Sequence, residues 1–336
     1  MSLAALRNWF TQWYPPNPTF TEECLPSQFD RVFLVTGGSK GIGFELCKML
    51  YTTGATIYMA SRSQEEADQA IKDITSSACD IRTPGVLKFL CLDLMDLATI
   101  KTAAEEFAKQ ETCLDVLWLQ AGIGARSVPP LTKTKQGLDA FIGAHCVAHL
   151  FLAELLLPQL REAAKIQIPG TVRLVWTASS LAELATSNGG IEMDRLDGIG
   201  IPIRDYAASK AGNWILGIEF GRRHGGDTKA PILSVTQNPG NLKTGIWENV
   251  QRPIRAFMDA FVLYEPKFGG YTELYAGLSP DLTMENQGAY IMPWGRIQEH
   301  TSRQDILQAA KPVEEGGGGL GAKFWEWCEE QWKEMA

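Results

Sequence analysis

What this sequence has little of narrows its function before any motif does. Its seven cysteines include no C-x-x-C pair, so neither a zinc site nor a disulfide framework is indicated. Reduced, mostly buried thiols in an intracellular protein are the expectation. Basic residues are in the minority: 31 Lys+Arg against 39 Asp+Glu leave a net charge of −8. That balance argues against a nucleic-acid surface, since phosphate binding needs clustered cations. No uncharged apolar run is long enough to span a bilayer. The opening MSLAALRNWFTQWYPPNP is interrupted by Arg7 and Asn8 and lacks an apolar core followed by a small-residue cleavage site, so no secretory signal is expected. No internal repeat is present. What remains is the profile of a soluble, cytoplasmic globular protein, with 45% apolar and 21% charged residues over 336 positions and ample material for a large core.

The apolar residues alternate between strand and helix patterns. A strand over 32–35 runs into Thr36-Gly-Gly-Ser-Lys-Gly-Ile-Gly43 and then into a helical spacing over 44–50. Strands are expected over 55–60, 86–92, 114–119, 171–178 and 231–237, with a short last one over 289–292. Helices are expected over 64–77, 97–110 and 205–224, together with a long one over 135–164 bent near Pro158. This order predicts an α/β fold: a single doubly wound parallel sheet with helices on both faces, spanning 30–295. Residues 1–29 form an N-terminal extension, in which Leu3, Leu6, Trp9, Phe10 and Trp13 share a helical face that Pro15-Pro16 would stop. Residues 296–336 form a C-terminal tail, read as a flexible linker over 314–319 followed by a Trp-rich helix. The N-terminal face is expected to pack on the chain's own body or on a second subunit rather than on a membrane surface, since its polar side is not basic, and the C-terminal helix to dock on the chain's own body, with a homo-oligomer contact as the alternative. Long connections over 181–204 and 243–287 lie where lids and substrate pockets form in such sheets.

Two local patterns carry chemistry. A strand, a Gly-rich turn and a helix start let backbone N–H groups approach a pyrophosphate at the positive end of the helix. Tyr206 and Lys210, four residues apart on one helix, project from the same face, where an ammonium would lower the phenol's pKa toward neutrality. They follow a strand that ends in Ser179 and Ser180, at the sheet edge where ligands bind.

In order and spacing these motifs resemble the short-chain dehydrogenase/reductase family: Thr36-Gly37, Gly41 and Gly43, then Ser180, then Tyr206 and Lys210, then Asn238-Pro-Gly-Asn-Leu-Lys-Thr244. The long Ser-to-Tyr interval and YAASKAGN look most like the retinol-dehydrogenase-like branch, and the tail looks like fungal members, many of which act in specialised metabolism. The resemblance implies hydride transfer between a nicotinamide and a carbonyl or alcohol carbon, with Tyr206 as proton donor. It implies that Lys210 tunes Tyr206 and holds the nicotinamide ribose, that Ser180 rather than Ser179 bonds the substrate oxygen, and that Asp93 and Leu94 meet the adenine. Gly37, Ser39, Lys40, Gly41, Ile42, Gly43, Gln120, Ala121, Gly122, Pro239, Gly240 and Thr244 complete the cofactor set, and no metal is implied.

The choice of cofactor follows from charge. An NAD enzyme needs a carboxylate at the end of the second strand for the ribose 2′-hydroxyl, and Met59-Ala-Ser-Arg-Ser63 has none. Arg62, with Ser39 and Lys40, suits the 2′-phosphate of NADP(H) instead. Two positions depart from the family: Gln120 stands in place of an Asn, and His145 stands where an Asn holds a relay water. An imidazole can also hold a water, so His145 joins the catalytic set, whereas His149, one turn on, reads as core. The expected reaction is NADPH-dependent reduction of a ketone or aldehyde on an apolar small molecule, or its reverse. The apolar preference rests on Ile191, Met193, Ile199, Ile201, Trp247, Phe257, Met258, Phe261 and Tyr264. The rivals are a non-redox cyclisation or dehydration at the same NADP(H) site, suggested by Gln120 and His145, and a non-catalytic binding protein, disfavoured by Ser180, Tyr206 and Lys210.

Overall fold

In the computed structural model, which describes residues 10–77, 83–243, 255–256, 258–259 and 262–335, the β-branched and aromatic segments pair edge to edge. The strands are β1 (Val32–Thr36), β2 (Thr56–Ser61), β3 (Val86–Cys91), β4 (Val116–Leu119), β5 (Arg173–Thr177), β6 (Leu233–Gln237), β7 (Tyr290–Met292) and β8 (Arg296–Ile297). They form one sheet in the order β3-β2-β1-β4-β5-β6-β7-β8, parallel except for the last pair. The central strands are buried on both faces, which is why they read as continuous apolar runs rather than alternating ones. The two-residue β8, antiparallel to β7, is too short to leave a periodic signal.

Helices cover both faces. On one side lie α1 (Gly41–Tyr51) and α2 (Gln64–Ser77). On the other lie α3 (Leu97–Gln110), α4 (Ala140–Leu155), α5 (Leu157–Ile166), α6 (Ser180–Leu184) and α7 (Pro202–His224). The long helix expected over 135–164 starts later and is two helices: α4 and α5 meet at 55° beside Leu156, with Pro158 in the first turn of α5. Within α4, residues Gly143–Val147 wind as a π-helix, a local bulge often found at functional sites.

The connection over 243–287 is not all loop. It contains α8 (Pro266–Leu278), which packs against α1 and the sheet and belongs to the core. Gly277 lets it approach: a Cβ there would overlap the Trp118 ring, whose Nε1 donates to the Glu273 carbonyl at 2.9 Å. The helix is buried along nearly its whole length, so it shows no amphipathic stripe to read. The glycine run expected to be flexible is also folded, because the amides of Gly317, Gly318 and Gly319 donate to the carbonyls of Pro312, Gln308 and Lys311. After it, α10 (Leu320–Glu330) docks on the chain's own α7 and α4, with Trp325 near Phe220 and, just past the helix, Trp332 stacked on Phe151. Between β8 and α10 lies α9 (Gln304–Ala310), also against α7. Three of the described cysteines, Cys47, Cys146 and Cys328, are buried, while Cys24 and Cys91 are exposed. Among the described residues no single helix is long and apolar enough to cross a membrane.

Candidate active site

The carboxyl ends of β1, β2 and β4 shape the first half of the site. Thr36 Oγ1 accepts from the amides of Gln120 and Ala121, both at 2.9 Å, and so ties the Gly-rich turn to the loop after β4. Gly37 and Gly41 have φ of +75° and +56°, a left-handed backbone that opens the turn and suits glycine. A Cβ on Gly43 would run into the Gly37 carbonyl and the Gln120 side chain. Between these ends lies a cavity of about 270 Å³ whose walls include Gly37, Ser39, Lys40, Arg62, Asp93, Leu94, Gln120, Ala121 and Gly122. Arg62 is exposed there. Lys40 pairs with Glu66 at 2.7 Å in an exposed ion pair. The Asp93 carboxylate accepts from the Met95 amide at 3.0 Å and fixes its own turn. The cavity thus combines a glycine-rich turn with the Lys40 and Arg62 cations and the Glu66 carboxylate.

The second half adjoins it, since Gln120, Gly122 and Ile123 also face a cavity of about 240 Å³ that holds Ile42, Ser179, Ser180, Tyr206, Lys210, Pro239 and Gly240. Thr244 lies outside the described residues. Tyr206 and Lys210 sit in the first turns of α7, on its buried face, with Lys210 Nζ 5.7 Å from the centre of the Tyr206 ring. The ammonium donates to the Thr177 carbonyl at 3.1 Å, a bond shared with Asn213 Nδ2 at 2.9 Å. Burial holds Lys210 down at about 8. The expected acidification of the phenol is not what this environment produces: burial pushes Tyr206 up to about 12, against the opposite pull of a hydrogen bond with Ser179. Ser179 lines this cavity and also caps α6, its Oγ accepting from Leu181 N at 3.3 Å. Ser180 lines the same cavity one residue further on.

His145 lies in the π-turn of α4, fully buried. The Ile123 amide donates to its Nε2 at 3.0 Å, so that nitrogen carries no proton. Nδ1 then holds the proton and donates to Ser209 Oγ at 2.7 Å, while Ser209 donates on to the Tyr206 carbonyl at 2.8 Å. Even the His145 carbonyl is engaged, by His149 Nδ1 at 3.0 Å. Burial, reinforced by the Lys210 charge, holds the His145 pKa well below its ordinary value. The ring ties the loop after β4 to the turn carrying Tyr206, and both of its nitrogens already have protein partners. A water held on the imidazole, expected from the sequence, has no nitrogen left to bind. His149 is buried as core, with its pKa held down at about 3, chiefly by burial.

Behind Lys210 stands a carboxyl that sequence reasoning missed. Glu273, fully buried on α8, accepts from Gln237 Nε2 at 2.7 Å and from Thr177 Oγ1 at 3.2 Å. Its second oxygen, like Gln237 Oε1 and Asn213 Oδ1, is buried with no hydrogen-bond partner. No motif marks it; the only sequence signal is an acid amid GGYTELYAG, in a stretch otherwise free of charge.

The apolar side chains expected to line the pocket divide. Ile191 and Ile199 face a separate, larger cavity of about 540 Å³ formed by the 181–204 segment, which touches neither Tyr206 nor Lys210. Chemistry, not size, therefore marks the smaller one. Ile201 is exposed, Met193 sits in a short 3-10 turn, and Met258 is half-buried. Tyr264 sets its ring edge-on to Trp294 at 4.7 Å, while Trp247, Phe257 and Phe261 lie outside the described residues.

Residues 31–182 match the family model for short chain dehydrogenase. The short-chain dehydrogenase/reductase iacJ of Pestalotiopsis fici is 44% identical over 334 residues, covering 98% of this chain and 99% of that one. Among solved structures, an uncharacterised protein from Mycobacterium paratuberculosis shares the fold with a TM-score of 0.66 at 24% identity, over 94% of this chain and 97% of the other. The NADPH bound carbonyl reductase from chicken fatty liver does so with a TM-score of 0.56 at 21% identity, over 80% and 98%. This chain belongs to the short-chain dehydrogenase/reductase family.

Proposed function

From that membership we propose that the protein is an NADPH-dependent reductase of a ketone or aldehyde on an apolar small molecule. The observation that carries this reading is the single cavity in which a buried phenol, a buried ammonium and a serine hydroxyl converge at the carboxyl ends of the strands, next to a slot for a dinucleotide. The turn over 37–43 with Gln120, Ala121 and Gly122 would hold the pyrophosphate and ribose, Arg62, Ser39 and Lys40 the 2′-phosphate, Asp93 and Leu94 the adenine, and Pro239, Gly240 and Thr244 the nicotinamide end. Bound there, NADPH supplies the hydride.

The protein supplies the proton and the electrostatics. Tyr206 donates its phenolic proton to the oxygen that becomes the alcohol. Ser179, already in contact with Tyr206, donates to the same oxygen, with Ser180 beside it in the wall. Lys210 places a positive charge near the developing oxyanion and, with its pKa near 8, can return a proton to Tyr206 at neutral pH. A phenol held at about 12 is fully protonated at neutral pH, which suits donation and therefore reduction. His145 acts through others: it fixes the Ile123 loop and the Tyr206 turn. With that structural role accounted for, His145 no longer motivates a non-redox reaction.

The test is incubation with NADPH deuterated at the transferable C4 position and a panel of aldehydes and ketones, followed by mass spectrometry. Deuterium on the carbinol carbon of a product is expected. Product formed without label would replace this reading with a non-redox one.

A further inference from the structure

The stretch Thr11-Gln-Trp13 precedes the sheet and belongs to none of the motifs above, yet it is stitched into the cavity that holds Tyr206. Gln12 is only 3% exposed. Its Nε2 donates to Glu183 Oε1 at 2.8 Å, and its Oε1 accepts from Asn238 Nδ2 at 2.8 Å. Both partners are buried themselves. One amide thus bridges α6, which starts directly after Ser179, and the loop after β6 that carries Pro239 and Gly240. The backbone on either side is held as well: Arg296 Nη2 donates to the Thr11 carbonyl at 3.0 Å, and the Tyr264 hydroxyl donates to the Trp13 carbonyl at 3.4 Å. Trp13 lines the same cavity as Ser179, Tyr206 and Lys210, together with the apolar Leu181, Ile203 and Leu242.

A loosely attached extension would leave a glutamine amide in water. Here both ends of the amide are used, and each end reaches a segment that carries site residues. Ordering the segment costs chain entropy, which these hydrogen bonds help to offset. We propose that residues 11–13 form a built-in cap of the active-site cavity, with Gln12 as its latch and Trp13 as a specificity-determining wall that favours slender apolar carbonyl compounds over bulky ones. The location of the cap stands on the geometry alone; the class of compound it selects rests on the reductase reading.

Two measurements test it separately. The first uses protein labelled with 5-fluorotryptophan, in which the Trp13 resonance is assigned by its loss in Trp13→Phe. Addition of NADP⁺ should shift that resonance, and Gln12→Leu, which removes both amide bonds, should broaden it or move it to a solvent-exposed position. A Trp13 resonance indifferent to both would overturn the cap. The second compares turnover of decanal and 1-decalone with NADPH. Trp13→Ala should move the ratio of kcat/KM at least tenfold toward 1-decalone while the NADPH Kd changes less than threefold, and Trp13→Phe should keep most of the original ratio. An unchanged ratio in Trp13→Ala would overturn the specificity role. If neither carbonyl compound is turned over although NADP⁺ binds, the preference for slender apolar carbonyl compounds is overturned, while the fluorine resonance still decides the cap and the deuterium label decides the reductase reading.

Discussion

Replacing Glu273 with Gln should give the protein a stability advantage that grows as pH rises from mild acid into alkali. In the folded chain one carboxyl oxygen accepts from Gln237 and Thr177, and the other has no partner. That arrangement leaves the second oxygen bare in either form, which costs far more for a charged carboxylate than for the O–H of a neutral acid. Burial therefore raises the pKa from 4.5 to about 8, with the Thr177 bond and the Lys210 charge pulling weakly the other way. A raised folded pKa means that the folded chain holds the proton more tightly than the unfolded chain. The resulting stabilisation is complete below pH 4.5 and is lost as pH rises through about 8. At ~1.4 kcal/mol per unit the whole loss is about 5 kcal/mol, and the share falling between pH 5.5 and 8.5 is about 3 kcal/mol. Lys210 works in the opposite sense, with a folded pKa lowered by burial from 10.5 to about 8, so its penalty is relieved only above pH 8. It is present in both proteins and largely cancels in the difference. Glutamine keeps the acceptor oxygen and has no proton to lose. Urea unfolding of both proteins at pH 5.5, 7.0 and 8.5 should show an advantage for Glu273→Gln that grows by about 3 kcal/mol from the acid end to the alkaline end. A stability difference that stays flat across this range would refute the reasoning, because it would mean that the buried carboxyl does not titrate there.

Tyr206→Phe keeps the ring packing and removes the donor, so turnover should fall about a hundredfold or more while NADPH affinity, measured by calorimetry, stays within about threefold. Wild-type protein should bind NADPH at least about tenfold tighter than NADH, and Arg62→Asp should erase or invert that preference; equal affinities in the wild type would exclude the assigned phosphate contacts. His145→Leu leaves the Ile123 amide and the Ser209 hydroxyl without their partner, so it should cost about 2–4 kcal/mol in urea unfolding, whereas His145→Asn should recover most of the loss. Because burial keeps that imidazole neutral, the pH–rate profile should show no limb near 6.5 that disappears in His145→Asn.

Most of the frame was legible because it is local. Residues 64–77 and 97–110 match α2 and α3 end to end, since each buries one stripe and exposes the other. The glycine turn and the Tyr206–Lys210 spacing were legible for the same reason: a turn and a helix face are set by neighbours in the chain. What stayed hidden depends on contacts across the fold. The Gln12–Asn238 bond joins residues 226 positions apart, and nothing in TQW announces a partner. For α8 the periodic signal fails because the helix has no wet face, and its glycines, which suggest a loop, serve instead for close packing: Gly277 admits Trp118 and Gly269 admits Leu242. His145 showed a third kind of gap. Its place in the helix could be found by position, but its hydrogen bonds to Ile123 and Ser209 decide between a water-binding ring and a structural one, and those follow from the π-turn.

Burial rather than ion pairing governs the charges around Tyr206. Burial favours the uncharged form of each titratable group that faces the centre: Tyr206 as phenol, His145 as neutral imidazole, Glu273 as carboxylic acid. Lys210 is pushed the same way, but only to about 8, so at neutral pH it remains mostly charged. An ordinary carboxylate in the place of Glu273 would pair with that ammonium and spend its field within the protein. While it keeps its proton, Glu273 leaves the Lys210 charge free to act elsewhere; ionised, it would draw that charge to itself, as the pull of each group on the other's pKa shows. In a low-dielectric cavity an uncompensated positive charge acts on whatever negative charge develops nearest to it, which in a carbonyl reduction is the oxygen facing Ser179 and Tyr206. The packing of α8 against Trp118 at Gly277 and the charge on Lys210 are thereby linked, because loosening that packing would admit water, favour ionised Glu273 and draw the lysine's field toward α8.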